Sequence, residues 1–106
     1  MDIKDIQELL KHEIKFVYVV SKHWIWDYSE TDSEIYLFRN WTDAFAEYSK
    51  IVADEKILFE EEFDKDDIAI DETKDIEHEY MCFDIYKEGY ASEYDSIIKV
   101  EKMEVK

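Results

Sequence analysis

The sequence predicts an α+β fold in two layers: an antiparallel sheet of about four strands, built from two hairpins, with a central amphipathic helix on one face and a short helix at the N-terminus. Three observations carry that expectation. The chain is 106 residues long with no seam between domains, so one core is expected across residues 1–106. Hydrophobic residues make up 46% of it and aromatics 16%, enough to fill such a core without disulfides. Finally, the apolar periodicity switches between about 3.6 and about 2 residues along the chain in the order α-β-β-α, then β-β.

Taken in order, Ile3, Ile6, Leu9 and Leu10 recur at helical spacing within residues 2–12, with Asp2 and Asp5 complementing the dipole of a first turn. The run Ile14-Lys15-Phe16-Val17-Tyr18-Val19-Val20, continuing through His23-Trp24-Ile25-Trp26, is β-branched and aromatic, and predicts a strand. The polar cluster 27–33 reads as a turn, and Glu34-Ile35-Tyr36-Leu37-Phe38-Arg39 as the antiparallel partner strand. Asn40 has the side chain of an N-cap, and Trp41, Ala44, Phe45, Tyr48, Ile51 and Val52 form an apolar stripe behind it. Residues 54–79 then hold 13 acidic residues against Lys56, Lys65 and Lys74, which is −10 of the net −16, and read as an acidic excursion pinned by scattered apolar residues. Met81, Phe83 and Ile85 alternate on one face of a strand over 80–86, residues 87–95 with Gly89 form a connector, and 96–105 reads as the last strand.

Composition excludes several function classes. Cys82 is the single cysteine, so an internal disulfide is impossible and a reducing compartment is expected. The N-terminal residues carry neither a basic nor an apolar leader segment, and no run approaches the ~18 apolar residues of a membrane span, so a cytoplasmic location is expected. With 29 Asp and Glu against 13 Lys and Arg, the surface repels nucleic acid and anionic membranes. The expected partner is a basic protein.

Motifs for chemistry are sparse. Carboxylates are so abundant that no pair singles itself out for acid–base work, and no cofactor or catalytic residue is assigned. Asp64-Lys65-Asp66-Asp67, with Asp75 at the twelfth position, has the opening of a calcium loop, but Ile68 and Ala69 replace a ligand and the turn glycine, so no metal site is assigned. His78 and Cys82, four apart on a strand, would stand about 13 Å apart, too far to share zinc. Cys82 is expected to be a small buried residue. His12 and His23 stand isolated, and a single glycine cannot build a phosphate loop.

The acidity is the remaining signal. The expected steering charges are Glu60, Glu61, Glu62, Asp64, Asp66, Asp67, Glu77 and Glu79, with Trp24, Trp26 and Tyr28 as candidate aromatic anchors. On an extended strand Glu60, Glu62 and Asp64, and likewise Glu77 and Glu79, would share a face about 6.6 Å apart, near the spacing of phosphates on one strand of a nucleic acid. In size and charge the chain resembles anti-restriction and anti-CRISPR DNA mimics and nuclease immunity proteins. Its Tyr18-Val19-Val20 strand, second strand ending in Phe38 and Ala44-Phe45 helix resemble those of small bacterial and phage proteins. The resemblance implies a small acidic protein-binding domain, an inhibitor or nucleic-acid mimic directed at a cationic partner such as a nuclease. A regulatory or assembly component and a carboxylate-based enzyme are the two alternatives.

Overall fold

The computed structural model describes residues 16–27 and 30–104, and its first strand, β1 (Phe16–Trp26), shows how the layers form. Its even-numbered side chains, from Tyr18 and Val20 to Trp26, face the helix, and the odd-numbered ones face away, as a period of two requires. The helix expected over residues 2–12 and the anchor candidate Tyr28 lie outside the described residues. After β1 come β2 (Glu30–Phe38), α1 (Trp41–Glu62), a 3-10 turn (Lys65–Asp67), β3 (Ile68–Asp75), β4 (Tyr80–Lys87) and β5 (Tyr94–Glu104). All pairings are antiparallel and the sheet order is β2-β1-β5-β4-β3. Because α1 leaves β2 at one edge and delivers the chain to β3 at the other, it crosses the whole face of the sheet.

The fold is therefore α+β with one helix on one face, among the described residues, but the sheet has five strands and not four. Residues 54–79 are not an excursion. They continue α1 for a further nine residues, make the 3-10 turn, and supply β3 as an edge strand. The helix runs on because Glu55 and Phe59 extend the stripe of Ala44 and Tyr48 at helical intervals of seven and four residues, and all four are buried. β2 also starts earlier than residue 34, because its pairing with β1 continues to Trp26↔Glu30.

The core lies between α1 and the middle of the sheet. Val20, Phe83, Ile98, Val100 and Phe59 are fully buried there, and β1, β5 and β4 align Val20, Val100 and Met81 across the sheet. Asn40 caps α1 as expected, accepting from the Asp43 N–H at 2.8 Å. With one glycine in the chain, two left-handed positions among the described residues fall to Asp27 (φ 52°) and Glu79 (φ 54°), while Gly89 (φ 81°) takes a third, in the β4–β5 connection. No described helix is long and apolar enough to cross a membrane.

Candidate functional site

The last turn of α1 ends against electrostatic convention. A helix C-terminus is the negative end of its dipole and favours basic residues. Here the last turn contains no basic residue and three exposed carboxylates, Glu60, Glu61 and Glu62. The chain then turns at Phe63, whose N–H donates to the Phe59 carbonyl at 2.8 Å, into exposed Asp64, Asp66 and Asp67 around Lys65. Six of the eight expected steering charges thus meet at one end of the helix.

Aromatic packing fixes that end to the sheet. Phe63 lies with ring centroids 5.7 Å from Phe59, 5.8 Å from Trp26 and 5.0 Å from Tyr94. Trp26 in turn meets Phe59 edge-on at 5.6 Å and Tyr94 at 5.1 Å. Lys87 spreads its ammonium over Phe63 and Tyr90, and the Glu88 N–H donates to the Asp67 carbonyl at 2.7 Å, tying the 3-10 turn to the β4–β5 connection. The acidic end is thereby held on a rigid base.

Beside it, between α1 and β1, is an open groove of about 340 Å³ lined by Lys22, Trp24, Trp26, Glu55, Leu58 and Glu62. Glu62 belongs both to this groove and to the acidic end. Of the expected anchors, Trp26 is engaged in the core, whereas half-buried Trp24 lies under the Lys22 ammonium at 4.6 Å and offers its remaining surface to the groove. Lys22 itself is committed to buried Glu55, 2.6 Å away, which also accepts from the Ser96 hydroxyl at 3.0 Å.

Glu77 and Glu79 lie elsewhere, in the turn after β3, with that eight-residue strand, about 25 Å long, between them and Asp67. Glu79 is structural: it accepts from the Tyr18 hydroxyl at 2.7 Å and pairs with Lys102 at 3.3 Å. The phosphate-like rows expected for extended chain do not form, since Glu60 and Glu62 occupy a helix, where residues two apart do not share a face, and Glu77 and Glu79 occupy a turn. Asp64 and Asp75, the first and twelfth positions of the loop pattern, sit at opposite ends of β3, and Asp75 accepts from the His78 N–H at 3.2 Å. His78 lies in the turn, so it does not share a strand with Cys82. Cys82 is half-buried on the sheet face away from α1, because Met81, Phe83 and Ile85 take the core face of β4.

That outer face holds a pair the sequence does not single out. Asp84 of β4 and Asp95 of β5 are diagonal neighbours, opposite Ile97 and Tyr86 respectively. Each has one Oδ1 that is shielded from solvent and meets no hydrogen-bond donor among the described residues. Burial, then the hydrogen bond and charge of Asp84, push the Asp95 carboxyl up to about 7. Near neutrality an Asp95 carboxyl raised in this way can give or accept a proton. An open groove of about 420 Å³ lies beside Asp95, lined also by His23, Ile25, Thr31 and Ile97.

The linkage has a definite sign. Between the unfolded value of 3.8 and about 7 the folded chain keeps a proton that the unfolded chain has released, so stability falls as pH rises through 7. Full burial would make this about 4 kcal/mol, and the half-exposed setting reduces it to ~1–2 kcal/mol. Asp95→Asn is expected to stabilise the protein by that amount at pH 8 and to flatten its urea midpoint between pH 5 and 8. An unchanged pH profile would show that Asp95 holds no proton in this range.

Comparison of the chain with protein-family models, with the curated proteins and with solved structures gives no match, so its function is argued from the acidic helix end and the aromatic groove beside it.

Proposed function

We propose that this protein is a small acidic protein-binding domain that occupies the cationic surface of a partner, such as the nucleic-acid groove of a nuclease, and so blocks it. The supporting observation is the placement of Glu60, Glu61, Glu62, Asp64, Asp66 and Asp67 at the negative end of α1, exposed, with Lys65 as the one cation in that segment. Each such carboxylate near a helix C-terminus costs a few tenths of a kcal/mol in the free protein. A fold that sets charge against its own dipole gains from it when a cation arrives, because the partner relieves the repulsion on binding. Charge mimicry here rests on density at one pole of the molecule, not on a phosphate-like row.

The test uses the host lysate. Immobilised protein is expected to capture a basic protein at low salt and release it at high salt, since exposed charge is screened over about 10 Å at 0.1 M. Neutralising the six acids with Asn and Gln is expected to raise the melting temperature by a few degrees, reflecting about 1–2 kcal/mol of relieved repulsion, and to slow association with the captured partner at least tenfold at low salt. Capture that is indifferent to salt and to these substitutions would defeat the proposal.

A further inference from the structure

The two edges of the sheet are treated differently. On β3 the charged side chains have partners: Lys74 pairs with Glu72 at 2.9 Å, the Tyr86 hydroxyl donates to Asp71 at 3.1 Å, and Asp75 accepts from His78. Charged, self-satisfied edges of this kind discourage strand addition.

β2 lacks that protection. Among the described residues it pairs with β1 alone, so its outer backbone groups face outward over a nine-residue strand whose residues 31–37 are all exposed. The Ser33 N–H donates to the Asp32 carboxylate of the same strand at 2.8 Å. Side chains alternate sharply. Asp32 and Glu34 stand opposite Trp24 and Lys22 on the α1 side, while Ile35 and Leu37, 62% and 66% exposed, stand opposite Ser21 and Val19 on the outer face. Lys22 is the cation across from Glu34, but Glu55 holds it at 2.6 Å. Neither Asp32 nor Glu34 forms an ion pair among the described residues; Glu34 accepts only the Tyr36 hydroxyl, at 2.8 Å.

We propose that β2 is a docking edge for an extended basic segment of a partner protein, which adds to the sheet as a further strand with Lys or Arg side chains beside Asp32 and Glu34 and apolar side chains beside Ile35 and Leu37. The main chain supplies hydrogen bonds and the alternating faces supply selectivity. The occupant is cationic because the edge acids have no counter-cation among the described residues and the whole chain carries −16, which repels a second copy of itself. The inference rests on the cationic-partner reading above and adds the place and the conformation of the bound segment.

The probe is a capped nonapeptide of alternating Lys and Val, with a fully N-methylated version that keeps its charge and side chains but has no main-chain donors. Hydrogen exchange should slow in residues 30–38 when the first peptide binds. Affinity should fall at least tenfold for the N-methylated peptide, for Asp32→Asn/Glu34→Gln and for Ile35→Ser/Leu37→Ser. Equal affinity of the two peptides, or protection away from β2, overturns the proposal. Affinity that depends on Glu60, Glu61 and Glu62 but not on Asp32 and Glu34 sinks the edge site and leaves the function reading standing, whereas indifference to both sets of acids removes both.

Discussion

Replacing Phe59 with alanine is expected to destabilise the protein by about 4 kcal/mol, the middle of the range for truncating a buried aromatic. Phe59 has no exposed surface, and its ring packs against Trp26 and Phe63 with centroids 5.6 and 5.7 Å away. Truncation therefore leaves a cavity where the helix is fastened to β1, and it removes the support under Phe63, where the chain turns into the acidic segment. A chain of this size commonly has only ~5–10 kcal/mol to lose, so the urea midpoint should fall by about 3 M. Phe59→Leu, which keeps most of the volume, should cost about 1–1.5 kcal/mol and keep the variant measurable. Ile57→Ala provides the contrast: Ile57 lies on the same helix but is 55% exposed, and its loss should stay near 0.5 kcal/mol. A larger cost at Ile57 than at Phe59 would mean that α1 presents a different face to the sheet.

The same helix shows where the sequence can be read and where it cannot. Its first three turns are legible because Trp41, Ala44, Tyr48 and Val52 are apolar at helical spacing. The apolar stripe then breaks at Asp54 and Glu55, although Glu55 is a core position whose charge is met by Lys22 from another element. No local pattern announces that pairing. β1 and β4 are legible for the opposite reason: each buries one face, so apolar and other residues alternate. β3 is not, since Asp71-Glu72-Thr73-Lys74-Asp75 lies at an edge and is polar on both sides. The polar start of β2 is hidden in the same way.

The candidate site divides along the same line. Glu60 to Asp67 stand out as a cluster because they are close in sequence, but their meaning depends on where the helix ends, which the stripe misplaces. Asp84 and Asp95 become neighbours only through the register of β4 on β5, fixed by the connection between them. A spacing of eleven residues carries no such information.

Removing the Glu55 carboxylate is the second change expected to have a large effect. Glu55→Ala leaves Lys22, whose side chain is only 18% exposed, without its anion at 2.6 Å, and it also strips the fully buried Ser96 hydroxyl of its acceptor. Breaking one half of a buried pair costs ~3–5 kcal/mol, and the partial exposure of Lys22 places this case near the lower bound, about 3 kcal/mol. The cost comes from the stranded cation and not from the worth of the pair. Accordingly, Lys22→Met/Glu55→Leu/Ser96→Ala, which replaces the whole network by apolar groups, should lie within about 1 kcal/mol of the parent protein, because two desolvation penalties vanish together with the attraction. Urea unfolding of the single and triple variants at one pH distinguishes the two accounts. A triple variant as unstable as Glu55→Ala would mean that the ion pair itself holds the helix on the sheet. Recovery in the triple variant would mean that the pair adds little net stability and that the cost of Glu55→Ala is the stranded Lys22 cation.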